Sequence, residues 1–195
     1  IPEEGDWTLI LSKDYTSWGS YFYNPKNDVL RVKVSPKNSE YHEYLTYEFD
    51  NRKLSSCTAM LKWEDIAVPI ELSVPNINDL YIAQMEAELN SNIGFDWQSW
   101  VKACSFCINY NTHLDKALEW ADFAINARYV GERNFATLSN KAAVLYAMGN
   151  IAESDKLIME AIKEPTATKS DMSRAERGLI AADRNELALE IAKFN

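Results

Sequence analysis

Cys104 and Cys107 are separated by two residues in "WVKACSFCINY" (Trp100–Tyr110), the spacing of a redox dithiol or of half a metal site. A redox pair draws its reactivity from a helix N-terminus, where partial positive charge stabilises the thiolate. Here Asp96 is predicted to cap the helix about two turns before Cys104, which sets both thiols too deep for that benefit. A structural zinc ion needs about four ligands. Only His113 lies near in sequence, and Cys57 belongs to the other half of the chain. A disulfide and a metal site are therefore the weaker readings, and the pair is read as small hydrophobes filling packing positions. No metal and no cofactor is assigned.

The remaining chemistry-bearing groups are no stronger. Glu64-Asp65 and Glu40/Glu43 are pairs of carboxylates such as glycoside hydrolysis requires, but Glu64-Asp65 reads as a turn between strands. "NPKND" lacks the regularly spaced oxygens of a calcium loop. Two isolated histidines, with no Gly-x-Ser-x-Gly, HExxH or phosphate-binding loop, leave hydrolase chemistry unsupported, so no catalytic residue is named and an enzyme is the weaker class. Trp18, Tyr21 and Tyr23, with Trp7, Tyr15 and Phe22 nearby, are candidates for stacking on sugar rings. They define the alternative function, a carbohydrate-binding or glycan-processing module, which burial of both Trp18 and Tyr21 would remove.

These residues need elements to position them. The chain has 195 residues, 47% of them hydrophobic, enough for a packed core in one large or two small domains. Its net charge is −9, and the acid is concentrated early: residues 1–96 hold 8 basic and 16 acidic side chains, residues 97–195 hold 12 and 13. Neither half offers the basic footprint that nucleic acid or an anionic membrane surface demands. No apolar run approaches the ~20 residues of a bilayer-spanning helix, so no membrane insertion is expected.

Residues 1–75 alternate with period two. "DWTLILS", "DVLRVKV", "EYLTYEF", "CTAMLKW" and "VPIELSV" predict five half-buried strands of an antiparallel sheet or sandwich, separated by "YNPKND", "SPKNSE" and "DNRKLSS" turns. Pro69 places the last strand at an edge or a bulge. Beyond Pro75 the spacing turns helical. Asn78-Asp79 is predicted to cap a linking helix through about Asn90, residues 76–95 form the link and joint, and residues 96–195 form a helical array. The fold class is thus α+β.

The array repeats itself. "LDKALEWADFAI" (114–125) aligns with "IAESDKLIMEAI" (151–162) at an offset of 37, which also sets Val101 on Leu138 and Ser105 on Ala142. Ala142, Leu145, Gly149, Ile158, Ala161-Ile162 and Pro165 resemble a tetratricopeptide repeat; Thr112 stands where the earlier copy has its turn, and a degenerate third copy spans 172–195 with Asp183 in place of Gly149. The resemblance implies a concave face lined by first helices, with Lys102, Phe106, Asn109 and Tyr110 from one copy and Ser139, Ala143 and Tyr146 from the next. Such a face takes a protein or peptide partner. Closure of the groove around Phe106 and Tyr110 by the chain's own helices would count against it.

"DWTLILSKDYTSWGSYFYNPKNDVLRVKV", a strand ending in "YEFD", and "MLKWEDIAVPIEL" resemble the bacterial family named domain of unknown function 2911. The resemblance implies a β-domain followed by tetratricopeptide-like helices, an extracytoplasmic and specifically periplasmic setting, and no known catalytic residues. Ile1-Pro2 is similar to the family's "IP" segment, which lies after further strands. The resemblance therefore implies that an N-terminal segment of the β-domain is missing, leaving an unpaired edge or an uncovered apolar face.

Overall fold

The computed structural model describes residues 1–194, which divide into two compact units, residues 1–77 and 78–194. The first unit is built on β strands, with one 3₁₀ turn at Pro25–Asn27. β1 (Trp7–Ser12) pairs antiparallel with β2 (Asp28–Val34), Trp7 opposite Val34 and Leu9 opposite Val32. β3 (Lys37–Asp50) pairs antiparallel with β4 (Ser56–Ser73), from Lys37 opposite Ala67 to Asp50 opposite Thr58. These are two separate two-stranded sheets, not one five-stranded sheet, and a sandwich is not evident.

The count falls from five to four because "CTAMLKW" and "VPIELSV" are one strand. The acidic dipeptide between them does not reverse the chain. Glu64 takes φ +50° opposite His42, and the register slips on both sides of that pair, so Glu64 marks a bulge that bends β4 while pairing continues. Pro69 lies past Ala67, the last residue of β4 paired with β3, where its missing N–H costs that ladder nothing.

The expected half-burial also fails on β3. Leu45, Tyr47 and Phe49 are exposed, and so is Trp63 across the pair on β4. A two-stranded ribbon has too little area to cover its own faces. Ala67 and Val68 are the buried apolar residues of this unit.

The second unit is helical: α1 (Ile77–Leu89), α2 (Trp97–Asn109), α3 (Leu114–Asn126), α4 (Phe135–Ala147), α5 (Ile151–Ala161), α6 (Lys169–Ala181) and α7 (Asn185–Ala192). α1 begins one residue before the predicted Asn78-Asp79 cap, directly after Asn76 at φ +55°. It does more than link. Ile82 and Leu89 are buried in a core with Trp100, Cys104, Cys107, Trp120 and Val144. Asp96 caps α2 as predicted, its side chain accepting from the Gln98 N–H at 3.2 Å.

Helices α2–α3, α4–α5 and α6–α7 form three successive hairpins, each closed by a residue in the left-handed region: Asn111 (φ +47°), Gly149 (φ +84°) and Asp183 (φ +57°). Gly bears that conformation without strain, and Asn and Asp are the side chains that tolerate it best. In each turn the next N–H reaches back to a helical carbonyl: Thr112 to Cys107, Asn150 to Leu145, Arg184 to Leu179.

Those turns correct the repeat register. Asn111, not Thr112, is the counterpart of Gly149. The α2–α3 turn spans Tyr110–His113, four residues, against three in the other two hairpins. The offset of 37 therefore holds for the second helices and becomes 38 for the first. Trp100 matches Leu138, Cys104 matches Ala142 and Cys107 matches Leu145, all buried.

Candidate functional site

A groove of about 540 Å³ opens in the helical unit, with walls from α2, α4 and α6. That volume is in the range of pockets that enclose small ligands or peptide side chains. The capping boxes at the starts of two of these helices fix their directions. On α4 the Asn134 side chain accepts from the Thr137 N–H at 3.0 Å, and the Asn134 N–H donates back to the Thr137 hydroxyl at 3.1 Å. Thr168 and Asp171 do the same for α6, and the Thr168 hydroxyl holds the Asp171 carboxyl below the usual range, so Asp171 is a fixed anion at the groove wall.

The groove surface is apolar and mostly small. Ala136, Ala143 and Ala147 face it from α4, and Ala175 and Gly178 face it from α6. Polar groups enter at a few points. Arg184 pairs with Asp155 and lies over the Tyr146 ring at 4.6 Å. Its Nε nevertheless has no hydrogen-bond partner, and neither does Oδ1 of Asn140; both atoms are buried. Burial pulls the Arg184 pKa down. Orphaned buried donors and acceptors are rare because each costs about 1–3 kcal/mol, so both atoms are local costs to the fold.

Ser139, Ala143 and Tyr146 line the groove; Lys102, Phe106, Asn109 and Tyr110 do not. Phe106 instead packs on Tyr81 of α1, centroids 5.5 Å apart, and on Tyr110 at 4.6 Å. Phe106 is therefore partly covered by α1, while Lys102, Asn109 and Tyr110 stay exposed outside the groove. The one-residue register error explains the displacement, since one residue rotates a helical side chain by about 100°. With the offset of 38, Ser139 and Tyr146 correspond to Val101 and Ile108, and these are the α2 residues that line the groove. Asn140, Arg184 and Gly178 were missed outright. The extra residue in the α2–α3 turn was the sequence signal for the register; nothing in the sequence marks Asn140 Oδ1 or Arg184 Nε as unsatisfied.

Cys104 and Cys107 are fully buried and carry free thiols. The Cys104 thiol donates to the Ala117 carbonyl at 3.2 Å, and burial, with Cys107 adding to it, pushes its pKa up to about 12. Burial raises Cys107 as well. This is the opposite of an activated thiolate. Among the described residues no group of three or more His, Cys, Asp or Glu is placed to hold a metal ion. Glu64 and Asp65 are exposed on the bulged stretch of β4, and Glu40 lies 3.9 Å from His42.

In the β unit Trp18 and Tyr21 are 85% and 83% exposed and stack on each other, centroids 6.0 Å apart. Tyr23 is held differently. Its hydroxyl donates to Asp28 at 2.7 Å and accepts from Arg31 at 2.6 Å, and the Arg31–Asp28 ion pair closes the triangle.

A model of the family described as Protein of unknown function (DUF2911) matches residues 1–72, which supports the resemblance read from the sequence over the β unit and stops short of the helical hairpins. No curated protein and no solved structure matches the chain.

Proposed function

We propose that the chain is a non-catalytic interaction protein that holds a peptide segment of a partner in the α2–α4–α6 groove. The observation that carries this reading is the groove itself, apolar, open to solvent and edged by the Asp171 carboxylate. The envelope setting belongs to the same reading and rests on the family resemblance of residues 1–72 alone.

Panning a random peptide library on the immobilised intact chain tests this. Enrichment of related sequences is expected, with binding reduced at least tenfold by Ala143→Trp. Ala143 is exposed on the groove wall, so the indole fills the groove without entering the core. Failure of wild-type protein to enrich any peptide, or equal capture by Ala143→Trp, would sink the reading.

A second reading has one observation behind it, the exposed Trp18–Tyr21 stack, whose ring faces suit a sugar. It is the weaker of the two, because the third candidate ring, Tyr23, is tied to Asp28 and Arg31 as a local brace.

A further inference from the structure

β1 ends at Ser12 and β2 begins at Asp28, and the chain between them closes on itself. The Lys13 N–H donates to the Asn27 carbonyl at 2.9 Å. The Asn27 side-chain amide donates to both carboxylate oxygens of Asp14, at 3.0 and 2.8 Å. Residues 13–27 are therefore a surface loop tied at its base, a form that holds its shape and often carries function. It sends its aromatic rings outward. Tyr15 and Phe22 are exposed along with the Trp18–Tyr21 stack, although a ring left in water forfeits the burial that stabilises it in a core.

A cavity of about 300 Å³ opens in the same loop, at the small end of the range for ligand pockets. Ser12, Asp14, Ser17, Ser20 and Tyr23 line it with Gly19, and Ile1 and Ile10 complete the wall. Gly19 joins the cavity to the rings, because a Cβ built on it would lie 3.7 Å from the Tyr21 ring. The polar groups are not all committed. Ser12 is spent, accepting from the Asp14 N–H and donating to the Asn27 carbonyl, and the Tyr23 hydroxyl is spent on Asp28 and Arg31. Among the described residues, the Ser17 and Ser20 hydroxyls make no hydrogen bond within the chain. Each Asp14 oxygen takes one N–H from Asn27 and keeps capacity to accept another donor.

We infer that the 13–27 loop binds a neutral glycan, Trp18 and Tyr21 stacking on sugar faces while Asp14, Ser17 and Ser20 hold the hydroxyls of one sugar in the cavity. This is independent of the peptide groove; it rests on the second reading above and supplies the polar half of the site that the rings alone lack. A pyranose presents C–H groups on a face and hydroxyls around its edge, so it meets open rings and uncommitted acceptors and donors together. The ligand is neutral because the cavity already holds the Asp14 carboxylate and residues 1–96 carry 16 acidic against 8 basic side chains, a field that repels a carboxylated sugar. A protein segment fits less well, since the cavity is small and mostly polar.

The experiment presents the intact chain to an array of printed glycans, neutral ones built from hexoses and N-acetylhexosamines beside sialylated and uronic-acid ones. Retention on neutral glycans is expected. Trp18→Ala, Tyr21→Ala and Asp14→Ala are each expected to weaken it by about tenfold or more. All three side chains are exposed, so the fold is expected to survive, with an unchanged circular-dichroism spectrum. Ser20→Val removes a cavity hydroxyl without touching the Asn27 tie, and a loss of about fivefold is expected from one hydrogen bond. If the ring variants lose binding while Asp14→Ala and Ser20→Val both stay within twofold of wild type, the cavity assignment is overturned and the ring reading stands. Retention only on acidic glycans overturns the neutral ligand. If no glycan is retained, whether or not a protein is captured through the same rings, the sugar reading fails and the inference with it.

Discussion

Replacing Trp100 by Ala is expected to cost the helical unit about 3–5 kcal/mol, the range for deleting a large buried aromatic side chain. Trp100 is 7% exposed and joins two structural demands in one side chain. Its ring stacks on Phe123 of α3 at 4.1 Å, and its indole N–H donates to the Gly94 carbonyl at 2.8 Å. Gly94 is in the tight joint between α1 and α2, where an added Cβ would come within 1.7 Å of the Leu89 carbonyl oxygen, so this joint has no room to relax into a cavity. Truncation thus removes the stack and leaves the Gly94 carbonyl buried without its donor. Trp100→Phe keeps most of the ring and loses the hydrogen bond, for an expected cost of about 1–3 kcal/mol. Urea unfolding followed by the helical circular-dichroism signal measures both. A loss below about 1 kcal/mol for Trp100→Ala would show that the α1–α2–α3 core is not organised around this residue.

Alkaline pH is expected to destabilise the helical unit through its buried thiols. Folded Cys104 titrates near 12 and Cys107 is also raised, whereas a thiol in the unfolded chain titrates near the ordinary value of 9.0. Below that ordinary value both states hold the proton, and the thiols' contribution is fully present. Above it the unfolded state sheds the proton first, so the equilibrium moves toward unfolding until the folded thiol also ionises. Stability should therefore fall by about 1.4 kcal/mol per pH unit from Cys104 as pH rises from about 9 toward 12, with Cys107 acting in the same direction. Cys104→Ala is the appropriate control because the equivalent residue in the next hairpin is Ala142. Unfolding free energies across this window should fall less steeply in the variant than in wild type. Parallel slopes, or rapid modification of both native thiols by a thiol reagent at pH 8, would contradict their burial.

The sequence was legible where one residue type has one physical use. Asp96 was read as the cap of α2 and is one, and Gly149 and Asp183 were read as turn residues and hold left-handed conformations. The β strands were legible by alternation, yet their burial was not, because alternation shows which side chains share a face and says nothing of whether another layer covers it. Glu64-Asp65 reads as a turn by composition; pairing of β4 with β3 on both sides of the dipeptide makes it a bulge instead. The groove slipped for a geometric reason. A single extra residue in the α2–α3 turn shifts the alignment of the first helices by one, and that rotation moves the expected lining from Val101 and Ile108 to Lys102 and Asn109. The unmet hydrogen-bonding demand of Asn140 and Arg184 depends on what surrounds each atom in space, which no local pattern encodes.

The most direct test of the peptide groove is to map where an enriched peptide binds, by following backbone amide chemical shifts of the isotope-labelled intact chain during titration. The account predicts the largest changes at Ser139, Asn140, Ala143, Tyr146 and Gly178, with the β unit unmoved. Changes centred on Trp18 and Tyr21, or on Phe106 and Tyr110, would contradict it.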